Sequence, residues 1–250
     1  MDTALHEHLV IMGQRHWWYR ARRTIVAAVL REHLRSDAPR RVLEVGAGTG
    51  SVTVVLGEFG TVTAVEPHPA ALAACRAAVP SAEVLQGDIA SLDELPGVGG
   101  ERFDVVAAFD VIEHLQDDVE ALRDLRRFIA PGGRLVLTVP ALELLWGGHD
   151  DVNGHFRRYS GGQLVRHLRL SGYDVEFVSY FSMLLFPVVA AVRIGRRIGR
   201  HAPPEPNSDF KLSIRPVNEA LTWLFAQEAK LVARHPLPIG SSLVVVATPT

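Results

Sequence analysis

Apolar residues at Ile25, Val26, Val29 and Leu30, with arginines between them, recur at a spacing of three and four and predict a helix that Asp37, Pro39 and Arg40 end. A short run from Arg41 to Val45 then reads as a strand and passes straight into Gly46-Ala47-Gly48-Thr49-Gly50 and a helical stretch through Leu56. The alternation continues with strand Thr61 to Glu66, helix Ala70 to Val79, strand Glu83 to Gln86, strand Phe103 to Phe109, helix Val119 to Ile129 and strand Arg134 to Val139. Pro96-Gly97-Val98-Gly99-Gly100 and Pro131-Gly132-Gly133 are turns ahead of strands. Ser160 is placed to cap a helix through Leu170, a strand follows from Asp174 to Tyr180, and Ser242 to Thr248 makes the last strand. Strands and helices in this order predict an α/β fold. It is a doubly wound, mostly parallel seven-stranded sheet with a helical insertion before the final strand.

Composition narrows the picture. With 250 residues, 48% of them hydrophobic, the chain can bury the core of one α/β domain. Its net charge of -2 gives no general attraction to nucleic acid, and none is expected as a partner. Cys75 is the single cysteine, so no intramolecular disulfide or cysteine zinc site is possible. The first residues carry acids and histidines where a signal peptide would be basic and then apolar, which predicts a cytoplasmic protein. The most apolar stretch, Phe177 to Val192, is interrupted by Ser179, Tyr180, Ser182 and Pro187 and is shorter than the roughly 20 residues of a spanning helix.

The chemistry is concentrated where strands end. A glycine-rich turn after the first strand lets backbone approach a ligand, because glycine lacks a Cβ and tolerates positive φ. Here the third glycine of Gly46-x-Gly48-x-Gly50 comes one residue too early for the G-x-G-x-x-G fingerprint of dinucleotide binding, which argues against NAD. Glu66 ends the second strand about twenty residues beyond Gly46, where a carboxylate accepts hydrogen bonds from ribose hydroxyls. Asp88 ends the third strand, where it can accept from an exocyclic adenine amine while Ile89 packs on the ring. An adenosine-containing ligand is implied.

These residues, Val42 to Gly50 with Glu66, Asp88 and Phe109-Asp110-Val111-Ile112-Glu113-His114-Leu115, resemble the class I S-adenosylmethionine-dependent methyltransferases, in the small-molecule branch of the generic type 11 and type 23 enzymes. The resemblance implies S-adenosyl-L-methionine as cofactor, with S-adenosyl-L-homocysteine as product. Gly46, Ala47, Gly48 and Gly50 would face its methionine part, Glu66 and Pro67 the ribose, and Asp88 and Ile89 the adenine. Glu44 either orients the glycine loop or is a satisfied polar residue at a strand end. The run His16-Trp17-Trp18-Tyr19-Arg20-Ala21-Arg22-Arg23 also resembles one branch of this family, where it closes over the cofactor. Arg22 is the candidate partner of the methionine carboxylate, and the alternative is a solvated basic helix face.

Methyl transfer needs an in-line nucleophile and, where the acceptor carries a proton, a base. Asp110 is placed at the cofactor, and His114 is a candidate base with Glu113 or Asp110 to orient it. Some quinone-pathway O-methyltransferases with a similar Glu-His segment bind a divalent ion, and Asp110, Glu113 and His114 offer mixed ligands. With no fourth ligand identifiable, no metal is expected. A second run, Trp146 to Ser160, is dense in ionisable groups beside glycines and reads as an acceptor loop. His149 and Asp150 are a candidate base and orienter. Trp146, His155, Arg157, Arg158 and Tyr159 are candidate acceptor-binding residues, the arginines suiting an anionic group, although a loop knitted by its own hydrogen bonds is the alternative.

The expected organisation is therefore one domain, 1–250: a helical cap over 1–38, a cofactor-binding core over 39–180, a helical lid over 181–238 and a final strand over 239–250. The insertion carries Phe181, Met183, Leu184, Leu185, Phe186, Val188 and Val189, enough to roof a pocket for an aromatic or lipid-like small molecule. Arg193, Arg196, Arg197 and Arg200 behind it would also suit a membrane-surface contact, but Pro187 would break a long surface helix, which favours the lid. The sequence is silent on oligomeric state. The expected function is methylation of a small-molecule oxygen in a biosynthetic pathway. An NAD-dependent oxidoreductase and a catalytically silent scaffold are the rivals.

Overall fold

The computed structural model describes residues 16–34, 40–184, 186–198 and 215–250. Asp37, Pro39, Leu185, Arg200 and the loop expected over 201–209 lie outside the described residues, as do the side chains of Arg196 and Arg197. Seven strands form one sheet: β1 (Arg40–Val45), β2 (Gly60–Glu66), β3 (Glu83–Gln86), β4 (Phe103–Phe109), β5 (Ile129–Pro140), β6 (Tyr173–Phe181) and β7 (Ser242–Pro249). Their order is β3-β2-β1-β4-β5-β7-β6, with β1 to β5 parallel and β7 antiparallel to both of its neighbours. The sheet is thus mostly parallel, and the order reverses between β1 and β4, where doubly wound sheets open a crevice at their carboxyl ends.

Alternate residues along each strand enter two separate apolar layers. Val42, Val62, Val105 and Val136 join one with Ile25 and Val29. Leu43, Val65, Val106 and Leu137 join the other with Leu122 and Leu168. Burial on both faces explains why the strands read as nearly continuous apolar runs. Helices α1 (Trp17–His33), α2 (Thr53–Leu56), α3 (Pro69–Ala78), α4 (Asp118–Arg126), α5 (Gly148–Asn153), α6 (Gly161–Leu170), α7 (Phe186–Ile198) and α8 (Arg215–Arg234) surround the sheet, with short 3-10 turns η1 (Ile89–Glu94), η2 (Ile112–His114) and η3 (Glu143–Leu145).

Three elements depart from the sequence expectation. β5 starts at Ile129, before the Pro131-Gly132-Gly133 turn, and its pairing with β4 shifts register between Phe103 and Val105. η1 and α5 had no periodic signal because both are too short for one, and each starts from a local cap: the Asp88 carboxylate accepts from Ser91 N, and the Asp150 carboxylate from Gly147 N. α8 lies along α1, where Trp17 N donates to Asn218 Oδ1 at 2.9 Å and the Trp17 and Phe225 rings are 5.0 Å apart. α7 packs on η3, and its Arg193 guanidinium rests on Gly147 where a Cβ would sit 1.7 Å from it. Among the described residues no helix is long and apolar enough to cross a membrane.

Candidate active site

The carboxyl ends of β1, β2 and β4 frame the site. Gly46 takes φ +73, and a Cβ there would meet Val111 Cγ2 at 2.5 Å, so the turn closes only on glycine. Gly48, at φ +58, has nothing within 4 Å of its Cβ position and leaves an open cradle above the loop. Glu66 is buried beneath it, accepting from Gly48 N at 2.7 Å on one oxygen and from His68 N at 2.9 Å on the other. Pro67, between them, is exposed, and its carbonyl meets Gln86 Nε2 at 3.5 Å. Asp88 is exposed and spends one oxygen on its cap, leaving the other toward solvent beside a half-buried Ile89.

Glu44 is buried at the end of β1. Burial pushes its carboxyl up to about 7 against an opposing hydrogen bond from Thr53 and the charge of Arg22, and its Oε2 has no partner. Arg22 reaches from α1 to the sheet edge. Its Nη2 contacts Asp110 Oδ2 at 2.9 Å and donates to Thr138 Oγ1 at 3.0 Å, which in turn donates to Asp110 Oδ1 at 2.9 Å. The guanidinium also lies 5.1 Å from the Trp18 ring, and its Nε is buried without a partner. Asp110 holds φ 55, a left-handed conformation costly for a non-glycine residue and typical of functional sites. An open cradle with a buried carboxylate below and two unpartnered buried polar atoms, Glu44 Oε2 and Arg22 Nε, fits a ligand carrying ribose hydroxyls and a carboxylate.

Beyond Asp110, Glu113 is fully buried with neither oxygen partnered, and burial, then the charge of Asp110, raise its carboxyl well above the usual range. His114 is held below its ordinary value by burial and then by His155, against a backbone hydrogen bond with Asn153. The His114 and His155 rings meet edge-on with centroids 4.6 Å apart. Glu113, His114 and His155 bring ligand atoms within 4.8 Å of one another, close enough to hold a metal ion. This is not the set expected from sequence, since Asp110 is taken by Arg22 and Thr138 and His155 stands in its place.

The acceptor loop rearranges the sequence expectation most. Asp150 does not serve His149. It is fully buried, with Oδ1 accepting from His155 Nδ1 at 2.9 Å and Arg158 Nε at 2.8 Å, and Oδ2 from Gly147 N at 2.8 Å. Burial alone would raise its carboxyl, but these donors and the Arg158 charge hold it at about 2. His149, one position away on α5, points instead to the exposed Asn153.

Arg158 and Tyr159, expected to grip an anionic acceptor, turn inward because a buried guanidinium and phenol must find internal partners. Arg158 donates to Asp150 and to Ala141 O, and Tyr159 is fully buried with its hydroxyl 2.6 Å from Asp118 Oδ2. Arg157 meets Asp118 Oδ1 at 2.8 Å and Gln116 O at 2.6 Å. Trp146 Nε1 donates to Asp151. Asp118, which also takes His167 Nδ1 at 2.8 Å, was not singled out from the sequence, nor was Thr138. The only signal at Asp118 was its place at the start of a predicted helix, which many acids share.

A family profile described as a methyltransferase domain matches residues 17–178. A Mycolicibacterium smegmatis protein named as a probable S-adenosylmethionine-dependent methyltransferase is 29% identical over 186 residues, covering 70% of this chain and 69% of the relative. An uncharacterized methyltransferase of Mycobacterium tuberculosis is 36% identical over 121 residues, covering 48% of this chain and 45% of its own, so this chain spans less than half of that relative. Among solved structures, a chain from the Haloferax volcanii complex of the Trm112 methyltransferase activator with a methyltransferase superposes with a TM-score of 0.60 at 18% identity, covering 99% of this chain and 95% of that one, which speaks for the fold alone. With the domain matched over most of the chain and the glycine loop, Glu66 and Asp110 set around one open cradle, this chain belongs to the class I S-adenosylmethionine-dependent methyltransferases.

Proposed function

We propose that the protein methylates an oxygen of a small-molecule acceptor in a biosynthetic pathway, in the cytoplasm and without nucleic acid as partner. The observation that carries this reading is the cluster of His114 and His155 beside the buried Glu113, one turn beyond Asp110, where proton-accepting groups stand next to the cofactor cradle. Bound S-adenosylmethionine would supply an electrophilic methyl on a positively charged sulfur. In this reading the Glu66 carboxylate accepts from its ribose hydroxyls and Asp88 from its adenine, and the glycine loop follows its methionine part. Arg22 turns from Asp110 to the methionine carboxylate. Asp110, tied to Thr138, keeps that guanidinium at the sheet edge until then.

The acceptor oxygen is assigned to the cluster because the enzyme must place a nucleophile in line with the methyl group and accept its proton nearby. The insertion over 181–238 takes part through α7, whose Arg193 lies on Gly147 at the start of the acceptor loop. Arg157, half-buried and held at Asp118, is the remaining cation of the loop for an anionic acceptor. Incubation with S-adenosylmethionine and a panel of phenols, hydroxy acids and hydroxylated lipids, read by mass spectrometry, tests the reading. Methyl ethers or esters are expected. Tight S-adenosylhomocysteine binding with no methylated product from any acceptor would favour a silent scaffold, and N-methylated or C-methylated products would correct the acceptor atom.

A further inference from the structure

The buried Asp150 carboxylate holds the His155 imidazole in place. Its Oδ1 faces His155 Nδ1 at 2.9 Å, and an ionised carboxylate at that distance requires Nδ1 to carry the hydrogen. The lone pair of His155 is therefore on Nε2, which has no hydrogen bond among the described residues. The carboxylate is itself immobile, because Arg158 Nε shares Oδ1 at 2.8 Å and Gly147 N holds Oδ2 at 2.8 Å. His155 is brought there by the left-handed turn at Gly154, φ +69, which reverses the chain after α5 and returns His155 N to Asp150 O at 3.0 Å. One carboxylate thus receives the ring and its residue's backbone is bound by the same partner, a fixed orientation that a residue merely touching an acceptor would not need.

We infer that His155 is the proton acceptor of the methyl transfer, with Asp150 as its positioning residue. This rests on the proposed function, since it needs an acceptor oxygen that carries a proton. In the step, the acceptor O–H bond breaks with its electron pair left on oxygen and the proton passes to Nε2. The oxygen pair forms the new bond to the donor methyl carbon, and the carbon–sulfur pair stays on sulfur. The imidazolium, held against Asp150, then returns its proton to water. The ionisable groups around the ring are Asp150 and His149 on α5, Glu113 and His114 on η2, and Arg158 three residues further along its own loop. His149, by contrast, is half-buried and turns its ring to Asn153 Nδ2 at 2.8 Å.

Two readouts test the inference on the full chain. Nitrogen-15 spectra of the imidazoles, with cofactor absent and then with S-adenosylhomocysteine, should show His155 in the Nδ1–H tautomer near neutral pH, and Asp150→Asn should abolish that preference. A His155 signal in the Nε2–H tautomer would overturn the inference whatever the activity. With a methylated acceptor in hand, His155→Ala should lower kcat about a hundredfold or more, with S-adenosylhomocysteine affinity unchanged. His155→Gln should be equally slow, and Asp150→Asn should lower kcat with little change in KM. Full turnover in both His155 variants would overturn it. So would activity abolished by a chelator and restored by a divalent ion, which would make Glu113, His114 and His155 metal ligands instead. If the wild type methylates nothing while His155 shows the predicted tautomer, it is the proposed function that fails.

Discussion

Replacing Asp118 by asparagine removes the charge at the point where the acceptor loop is tied to the domain. Its carboxylate, 4% exposed, takes Tyr159 Oη at 2.6 Å and His167 Nδ1 at 2.8 Å on one oxygen and Arg157 Nη1 at 2.8 Å on the other. These donors hold it below the usual carboxylate range although burial alone would raise it. An asparagine of the same shape can point its oxygen at Tyr159 and His167, but its amide then opposes the Arg157 guanidinium, and donor faces donor. Hydrogen bonds to a charged group contribute about 1.5–3 kcal/mol each. Two survive in neutral form, and the third, to an arginine 21% exposed, is discounted for solvent. A destabilisation of about 2–4 kcal/mol follows. At roughly 2–4 °C per kcal/mol for a domain of this size, Tm should fall by about 4–16 °C. Urea unfolding and calorimetry measure it. Because the folded carboxyl is held low, the wild type keeps this stabilisation above the unfolded carboxylate value and loses it as pH falls through the folded one, so the gap to Asp118→Asn should narrow on acidification. A loss below about 1 kcal/mol, or a gap constant with pH, would refute the reasoning.

Glu66→Ala should weaken S-adenosylhomocysteine binding by more than about 1.5 kcal/mol, roughly tenfold, in calorimetry, since it deletes a charge-assisted acceptor; unchanged affinity would remove Glu66 from the cofactor site. Glu44 titrates in the folded chain at about 7 against a reference of 4.5, so ionising it opposes folding progressively as pH rises between those values. Between pH 5 and pH 8 the stability of Glu44→Gln relative to wild type should therefore shift in the variant's favour by roughly 2–3 kcal/mol, and a flat difference would mean that Glu44 is ionised throughout. Co-sedimentation with anionic vesicles should show no strong, salt-sensitive pelleting if the 181–238 insertion serves the acceptor site, whereas strong pelleting would give it a membrane-surface role.

The order of elements and the glycine turn after β1 were legible in the sequence because both are local. A parallel strand buried on both faces is a short apolar run whatever it packs against, and Gly46, Gly48 and Gly50 announce a left-handed backbone that other residues adopt only at a cost. Glu66 and Asp110 could be placed because strand ends are set by the same runs, and the carboxyl edge of such a sheet is where ligands bind. Pairings between side chains had no such signature. His149 adjoins Asp150 in the chain and His155 lies five residues on, yet the turn at Gly154 brings the second ring to the carboxylate while the first faces Asn153. Arg158 and Tyr159 look like acceptor ligands as a string of polar residues, but the fold buries them, and burial obliges each to spend its donors on Asp150 and Asp118. Asp118 itself lies about forty residues from Tyr159 and Arg157, a distance that only the packing of α4 and α6 on the sheet closes. Local chemistry along the chain thus determined the fold class and the glycine turn at the end of β1, while the partners of the loop histidines and arginines were decided by tertiary packing, because a buried polar group takes whatever partner the fold brings within 3 Å.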